Sequence, residues 1–347
     1  MLRVGSVSYA CEQGLGRLMK SFYAAGIVDD VMVYRHTSPS RPTLMSWYPP
    51  STLELVNRPF NGPTVDAFLK TVDVMLFWET PFDWGFMDYC RARGVRTALV
   101  PMSEWTPRRP PAWFDIVISP SLEDHDYFKD GRFAGFTFRE CFLPIPVDPS
   151  TWRQRTVAKR FLHNAGHLGH GEHKGTRQLL EAMKHVKSDL TLTVRGQHDS
   201  GLQNVLRQVF GGNGTHPKVE VVAREIPYEE LFTEHDVYVA PEKWNPISLP
   251  LQEARAAGML VLTTDRYPMN TWLPKEGLIP AETIRRGCVS RNYLEVCEAV
   301  VRPEAIAAKM DACYGTDITA YSQSGKAWAE EHSWANMAPK WRASLEL

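Results

Sequence analysis

The residues of this chain most able to do chemistry on a phosphate lie in two short stretches. One is APEKWNPISLPLQEARAAGMLVLTT, Ala240 to Thr264, where prolines at 241, 246 and 250 stiffen a loop that runs into a helix. Pro250 fits the first turn, where a missing N–H costs nothing, and Ser248 is positioned as the N-cap. A helix start carries unpaired N–H groups and partial positive charge. The amides of Ile247, Ser248 and Leu249 are therefore expected to converge on a diphosphate. Glu253, one turn in, can accept two hydrogen bonds from vicinal hydroxyls such as those of a ribose. A glutamate there can also do no more than complement its own helix dipole.

The other stretch is HNAGHLGHGEHKG, residues 163–175. Lys174 can neutralise a departing diphosphate, and Asn164 among glycines lets the backbone approach a ligand closely. His163, His167, His170 and His173 raise a metal reading. Zinc needs three or four ligands in a closed geometry, which a glycine-rich loop leading into a helix does not visibly offer. No metal is therefore expected, and His167 or His170 reads better as a phosphate partner or a solvated loop side chain. A third stretch, QGLGR at 13–17, places Gly14 and Gly16 between a strand and a helix. With Met19 at the last position it is only a partial dinucleotide fingerprint, equally suited to a tight turn.

The elements that must position these loops alternate. LRVGSVSY, DDVMVYR, DVMLFWE, VRTALVPM and FDIVISPS read as strands, separated by helical patterns over 14–25, near 64–71 and near 84–93. The pattern restarts with the strands KRFLHNAG, LTLTVRG, VEVVAREI, DVYVAP and MLVLTT, with helices over 176–187, 201–210, YEELFTE and the segment after Pro250. Helical patterns are expected from 292 onward. Repeated β-α-β units imply parallel sheets covered on both faces. The fold class is α/β, with two tandem Rossmann-like doubly wound domains facing a cleft, and ligands at the carboxyl ends of the strands. The expected boundaries are 1–150, 151–325 and a terminal helix over 326–347 packing back toward the first domain, with VDPSTWRQRTV as the linker.

Composition narrows the classes. A chain of 347 residues, 44% hydrophobic and 23% charged, can bury two ordinary cores. A net charge of −1 gives no bulk attraction to nucleic acid or anionic membrane. No run of 18 apolar residues occurs, and the start lacks the pattern of a signal peptide. Six cysteines without C-x-x-C spacing suit reduced thiols and a cytoplasmic location.

Several ordered pieces together resemble the retaining two-domain glycosyltransferases of the GT-B fold, a large family of nucleotide-sugar-dependent enzymes. They are FLPIPVDPSTW, FLHNAGHLGHGEHKGTRQLLEAM, YEELFTEHDVYVAPEKWNPISLPLQEARAAGMLVLTT and HSWANMAPKWRASL. The second half resembles the family throughout, and the first half, the acceptor side, in layout only. The resemblance implies transfer of a sugar from a nucleotide diphosphate sugar to an acceptor hydroxyl with retention at the anomeric carbon. A UDP-sugar is the favoured donor, a GDP-sugar the alternative, and no prosthetic group is needed.

In that family two glutamates eight positions apart read the donor, and the second binds the ribose. Glu253 matches the second, whereas the first falls on Asn245. The family's loop arginine falls on His167, and its lysine on Lys174 with a slightly longer spacer. Its acceptor-side histidine would fall in LVPMSEW, where Glu104 is the nearest polar candidate. Lys174, Glu104 and Asn245 are thus the catalytic candidates. Gly14, Gly16, Asn164, His167, Ile247, Ser248, Leu249 and Glu253 are the donor-binding ones. Trp105, Arg108 and Arg109 in EWTPRRPPAWF are the acceptor-binding candidates, and they suit a phosphate-bearing acceptor. That acceptor is a carbohydrate or, alternatively, DNA carrying a hydroxymethylated base flipped out of its stack. With the family arginine and first glutamate missing, a non-catalytic nucleotide-sugar-binding or interaction protein is a further class. DHD at 124–126 is read as a solvated helix face.

Overall fold

The computed structural model describes residues 2–36, 42–107, 110–129, 137–166, 173–196, 201–224, 226–288 and 295–346. The chain forms two compact units, Met1–Pro146 with Trp334–Leu347, and Val147–Ser333.

The first unit begins β1 (Val4–Ser8), α1 (Gly14–Ala24), β2 (Asp30–Tyr34) and β3 (Leu53–Leu55). It continues with α2 (Pro63–Leu69), β4 (Val74–Glu79), α3 (Trp84–Arg91) and β5 (Arg96–Pro101). Then come β6 (Ile116–Ser119), α4 (Leu122–Lys129) and β7 (Arg139–Phe142). The sheet runs β3-β2-β1-β4-β5-β6-β7, and all its pairs are parallel. The chain leaves β1 for one side of the sheet and returns at β4 for the other. That reversal opens a switch point between the carboxyl ends of β1 and β4. The short β3 lies inside a proline-rich stretch whose periodicity gives no strand signal.

The second unit contains β8 (Arg160–Gly166), α5 (Thr176–Ala182), β9 (Thr191–Gly196), α6 (Leu202–Phe210), β10 (Val219–Ala223) and β11 (Val237–Ala240). It goes on through α7 (Leu249–Ala256), β12 (Leu260–Asp265), α8 (Met269–Trp272), β13 (Leu278–Pro280), β14 (Thr283–Cys288) and β15 (Glu295–Val300). Helices α9 (Pro303–Cys313) and α10 (Thr319–Glu331) close it. Its main sheet, again parallel, has the order β10-β9-β8-β11-β12-β13 and a switch point between β8 and β11.

The period of two along a strand sorts this core into two layers. Phe161, Val237, Val239, Leu260 and Leu262 join the cluster beneath α5, α6 and α9. Their neighbours Leu162, Tyr238, Ala240 and Val261 join the cluster on the opposite face, with Leu251 and Ala254 of α7. Both faces are dry, so these strands read as nearly continuous apolar runs. Each such large side chain contributes about 1.5–3 kcal/mol on burial.

Two expectations change. The segment 295–300 pairs antiparallel with β14 instead of opening the terminal helices. YEELFTE makes only a 3-10 turn at Tyr228–Glu230. Helix α11 (Trp334–Glu346) belongs to the first unit. Trp341 is fully buried, with its ring edge-on to Phe22 at 4.9 Å, and donates Nε1–H to the Pro144 carbonyl. Arg342 donates to Asp29 Oδ2 and to the Leu2 carbonyl, each at 2.7 Å.

Candidate active site

At the carboxyl edge of the second sheet, β8 ends with a register shift between Asn164 and Gly166. His163, fully buried, ties the edge together. Its Nδ1 lies 2.7 Å from the Val239 carbonyl, and its Nε2 lies 2.8 Å from Thr176 Oγ1. A carbonyl can only accept, so Nδ1 carries the proton and Nε2 accepts from the threonine. Burial pulls this imidazole down to about 4, which keeps it neutral. His163 therefore joins β8, β11 and α5 and is taken up structurally. The His173 backbone carbonyl accepts from Lys243 N–H at 2.7 Å, and its ring lies 5.9 Å from that of Trp244. His167 and His170 lie outside the described residues.

Two glycines let Lys174 reach this edge. Gly175 has φ +71°, and a Cβ on it would lie 2.2 Å from the Pro241 carbonyl oxygen, so α5 begins against the exit of β11. Gly166 has φ +59°, and a Cβ there would lie 2.5 Å from Lys174 Nζ. The ammonium thus rests in the space that any side chain at 166 would fill. Burial lowers its pKa, while the carboxylates of Glu242 and Glu253 act in the opposite direction. Among the described residues it has no ion pair within 4.0 Å. The ammonium feels both carboxylates without an ion pair to either, which leaves it able to meet an anion.

The loop from β11 to α7 is held from within. Ser248 adopts φ +40°, rare for a residue with a side chain. Its N–H donates to Asn245 Oδ1 at 2.8 Å, and its hydroxyl donates to Glu242 Oε1 at 2.8 Å. Ser248 occupies the N-cap position of α7, but its side chain makes no capping bond there. The Ser248 amide is thus committed inside the loop, which corrects the expectation that it faces a diphosphate. Its carbonyl accepts the helix N–H of Leu251 at 3.0 Å, and Gln252 Nε2 donates to the Ile247 carbonyl at 2.7 Å. Ile247 is buried, and Leu249 opens the helix.

Glu242 is the residue that sequence reasoning missed. It is 1% exposed, and its Oε2 has no hydrogen-bond partner among the described residues. Burial pushes its carboxyl up to about 7, against the Ser248 hydroxyl, the charges of Lys174 and Arg266, and the approaching Asn245 amide. Asn245, a catalytic candidate, thus lies beside a carboxylate supplied three positions earlier. Arg266 completes the surround, donating to the Asn245 carbonyl at 2.7 Å. An acid directly before K-W-N-P was the available signal, but nothing in its spacing set it apart from a surface glutamate.

Glu253, one turn into α7, accepts the Tyr228 hydroxyl on Oε1 at 2.7 Å. Burial pushes its carboxyl up to about 7, opposed by that hydrogen bond and by Lys174. Asn164 reaches the same edge, with its Oδ1 buried and without a hydrogen-bond partner among the described residues. The structure therefore gathers Lys174, Asn164, Asn245, Ile247, Ser248, Leu249 and Glu253 around one switch point and adds Glu242 and Tyr228.

The remaining candidates belong to the first unit. Gly14 is open to solvent, whereas Gly16 packs so tightly that a Cβ would lie 2.3 Å from the Cys11 carbonyl oxygen. Glu104 is 7% exposed, and its carboxyl is held well above the usual range by burial and by Asp124, Glu123 and Glu79. Asp124 is fully buried, accepting Ser103 N–H at 2.7 Å and the Ser121 hydroxyl at 2.5 Å. This corrects its reading as part of a solvated face: the serines of ISPS and PMSEW enclose it. The Trp105 carbonyl accepts from Thr80 Oγ1 at 2.7 Å. Arg108 and Arg109, like His167, lie outside the described residues.

Residues 159–289 match the family model described as "Glycosyl transferases group 1". The segment is similar to a glycosyl transferase group 1 domain. It contains Lys174, Glu242, Asn245 and Glu253, so the gathered polar groups all lie within the matched part of the chain. No curated protein matches the chain in sequence.

Solved structures extend the likeness over both units. A glycosyltransferase from Rickettsia africae is 13% identical, with a TM-score of 0.68 over 99% of each chain. Anabaena HepE, solved with UDP and glucose, is 12% identical, with a TM-score of 0.72 over 100% of each chain. Sucrose-phosphate synthase from Thermosynechococcus elongatus is 14% identical, with a TM-score of 0.66 over 98% of this chain and 97% of its own. The fold is GT-B, and the segment that matches the family model lies within its second unit. No helix among the described residues is long and apolar enough to cross a membrane.

Proposed function

We propose that the chain is a glycosyltransferase that takes a sugar from a UDP-sugar and delivers it, with retention at the anomeric carbon, to an acceptor hydroxyl on a carbohydrate. One observation carries this reading. The Lys174 ammonium sits at a switch point against Gly166, with no anionic partner in contact among the described residues. A departing diphosphate supplies the missing negative charge. A preorganised cation stabilises that charge as it develops, which is usually the largest single catalytic effect.

Glu253 takes the ribose hydroxyls. Glu242, through Ser248 and Asn245, keeps the loop in the shape that admits the diphosphate. The UDP preference draws support from Anabaena HepE, which has been solved with UDP-glucose. Retention draws support from the resemblance of the second half to the retaining family. The first unit, with the half-exposed Trp105 and the buried Glu104, takes the acceptor.

The test is donor turnover. The protein is incubated with UDP-, GDP- and ADP-sugars, and free nucleotide is measured with and without carbohydrate acceptors. UDP release that accelerates with an acceptor is expected, and the anomeric configuration of the product is read by proton NMR. Tight UDP binding without release from any sugar would replace the enzyme by a binding protein.

A further inference from the structure

Tyr228 opens the 3-10 turn Tyr228–Glu230 after β10, far in sequence from α7, yet its hydroxyl meets Glu253 Oε1 at 2.7 Å. The two side chains line one small recess with Asp148, Thr151, Phe232 and Thr233. We infer that Tyr228 is a positioning residue for nucleoside recognition, pinning one oxygen of the Glu253 carboxylate so that the other faces the ribose diol. This rests on the reading of Glu253 as the ribose acceptor.

A glutamate carboxyl rotates about a broad, two-fold terminal torsion, so an unpinned one must be ordered when it binds. Donation from the rigid phenol fixes the carboxyl plane beforehand and leaves Oε2, with the remaining lone pair of Oε1, for two vicinal hydroxyls. A protonated carboxyl offers the diol one acceptor fewer. Burial pushes Glu253 toward that form, up to about 7, while the Tyr228 hydroxyl and Lys174 act in the opposite direction. Asp148 and Glu229 also line the recess, and the buried phenol of Tyr238 lies within electrostatic reach of Glu253. Of these groups, Tyr228 is the one that hydrogen-bonds the carboxylate.

The experiment compares UDP with 2′,3′-dideoxy-UDP by calorimetry between pH 5.5 and 8.5, using wild type and Tyr228→Phe. The wild type prefers UDP, and that preference fades on acidification as Glu253 takes up its proton. In Tyr228→Phe the preference at pH 8 falls about tenfold, the scale of one hydrogen bond to a charged group. Its fading moves to higher pH, and dideoxy-UDP binds as before. A variant that discriminates as well as wild type, with the same pH midpoint, overturns the role of Tyr228 alone. A loss shared equally by both nucleotides makes the tyrosine a structural support and also overturns it. A wild type that does not distinguish the nucleotides removes Glu253 from the ribose, and the inference falls with it.

Discussion

Replacing Gly166 by alanine tests the site where Lys174 packs against the backbone, without removing a charged group. The new Cβ would sit 2.5 Å from Lys174 Nζ, so the ammonium must withdraw by about 1 Å to reach ordinary van der Waals separation. The backbone contributes a second effect, since φ is +59°, and a left-handed alanine costs roughly 1–2 kcal/mol. Against a typical stability of about 5–15 kcal/mol the chain still folds. A 1 Å misplacement of a group that stabilises the transition state costs up to about 100-fold in rate. Lys174→Ala, which removes the group, should cost roughly two to three orders of magnitude in kcat. The assay is UDP release under saturating donor, beside thermal melts of each variant. Because Gly166→Ala acts through the lysine, the double variant should be no slower than Lys174→Ala alone. Full kcat in folded Gly166→Ala, or multiplied losses in the double variant, would refute the placement of the ammonium at the leaving diphosphate.

Three further outcomes follow from the buried acids. Glu242 has a folded pKa of about 7 against an ordinary 4.5, so between those values the folded chain holds a proton that the unfolded chain releases. Its contribution to stability therefore falls by up to about 3 kcal/mol as pH rises from 4.5 to 7. Glu242→Gln keeps an acceptor for Ser248 and should flatten that slope in pH-dependent chemical denaturation; an unchanged slope would contradict it. Asn245→Asp sets a second carboxylate against Glu242 and should lower stability by about 1–3 kcal/mol at pH 8. Adding Glu242→Gln should recover much of that loss in thermal melts. Glu104→Gln removes a buried carboxyl raised by burial and by Asp124. The stability of the variant relative to wild type should thus rise from pH 5 to pH 8, and equal melting curves across that range would show that the charge is not buried.

Much of the scaffold was legible in order along the chain. Apolar runs such as DVYVAP and MLVLTT mark strands dry on both faces, and α-periodic segments between them force parallel β-α-β connections. The short β3 was not legible, and neither was the β14–β15 pair. Their pairing is decided by distant partners, whereas sequence periodicity reports only a segment's own burial.

The same division runs through the site. Residue type and local setting make Lys174 and Glu253 candidates, one a lysine before a helix and the other a glutamate one turn into another. The partners of those residues depended on the fold. Tyr228 meets Glu253 across 25 positions, and Glu242 differs from an ordinary surface acid only in being sealed under Ser248. Asp124 shows the reverse error: a helix-face pattern placed it in water, and the chain folded two serines over it. Local sequence sets which groups a residue can offer. Burial and charge, which decide what those groups do, are sums over neighbours that only the tertiary structure brings together.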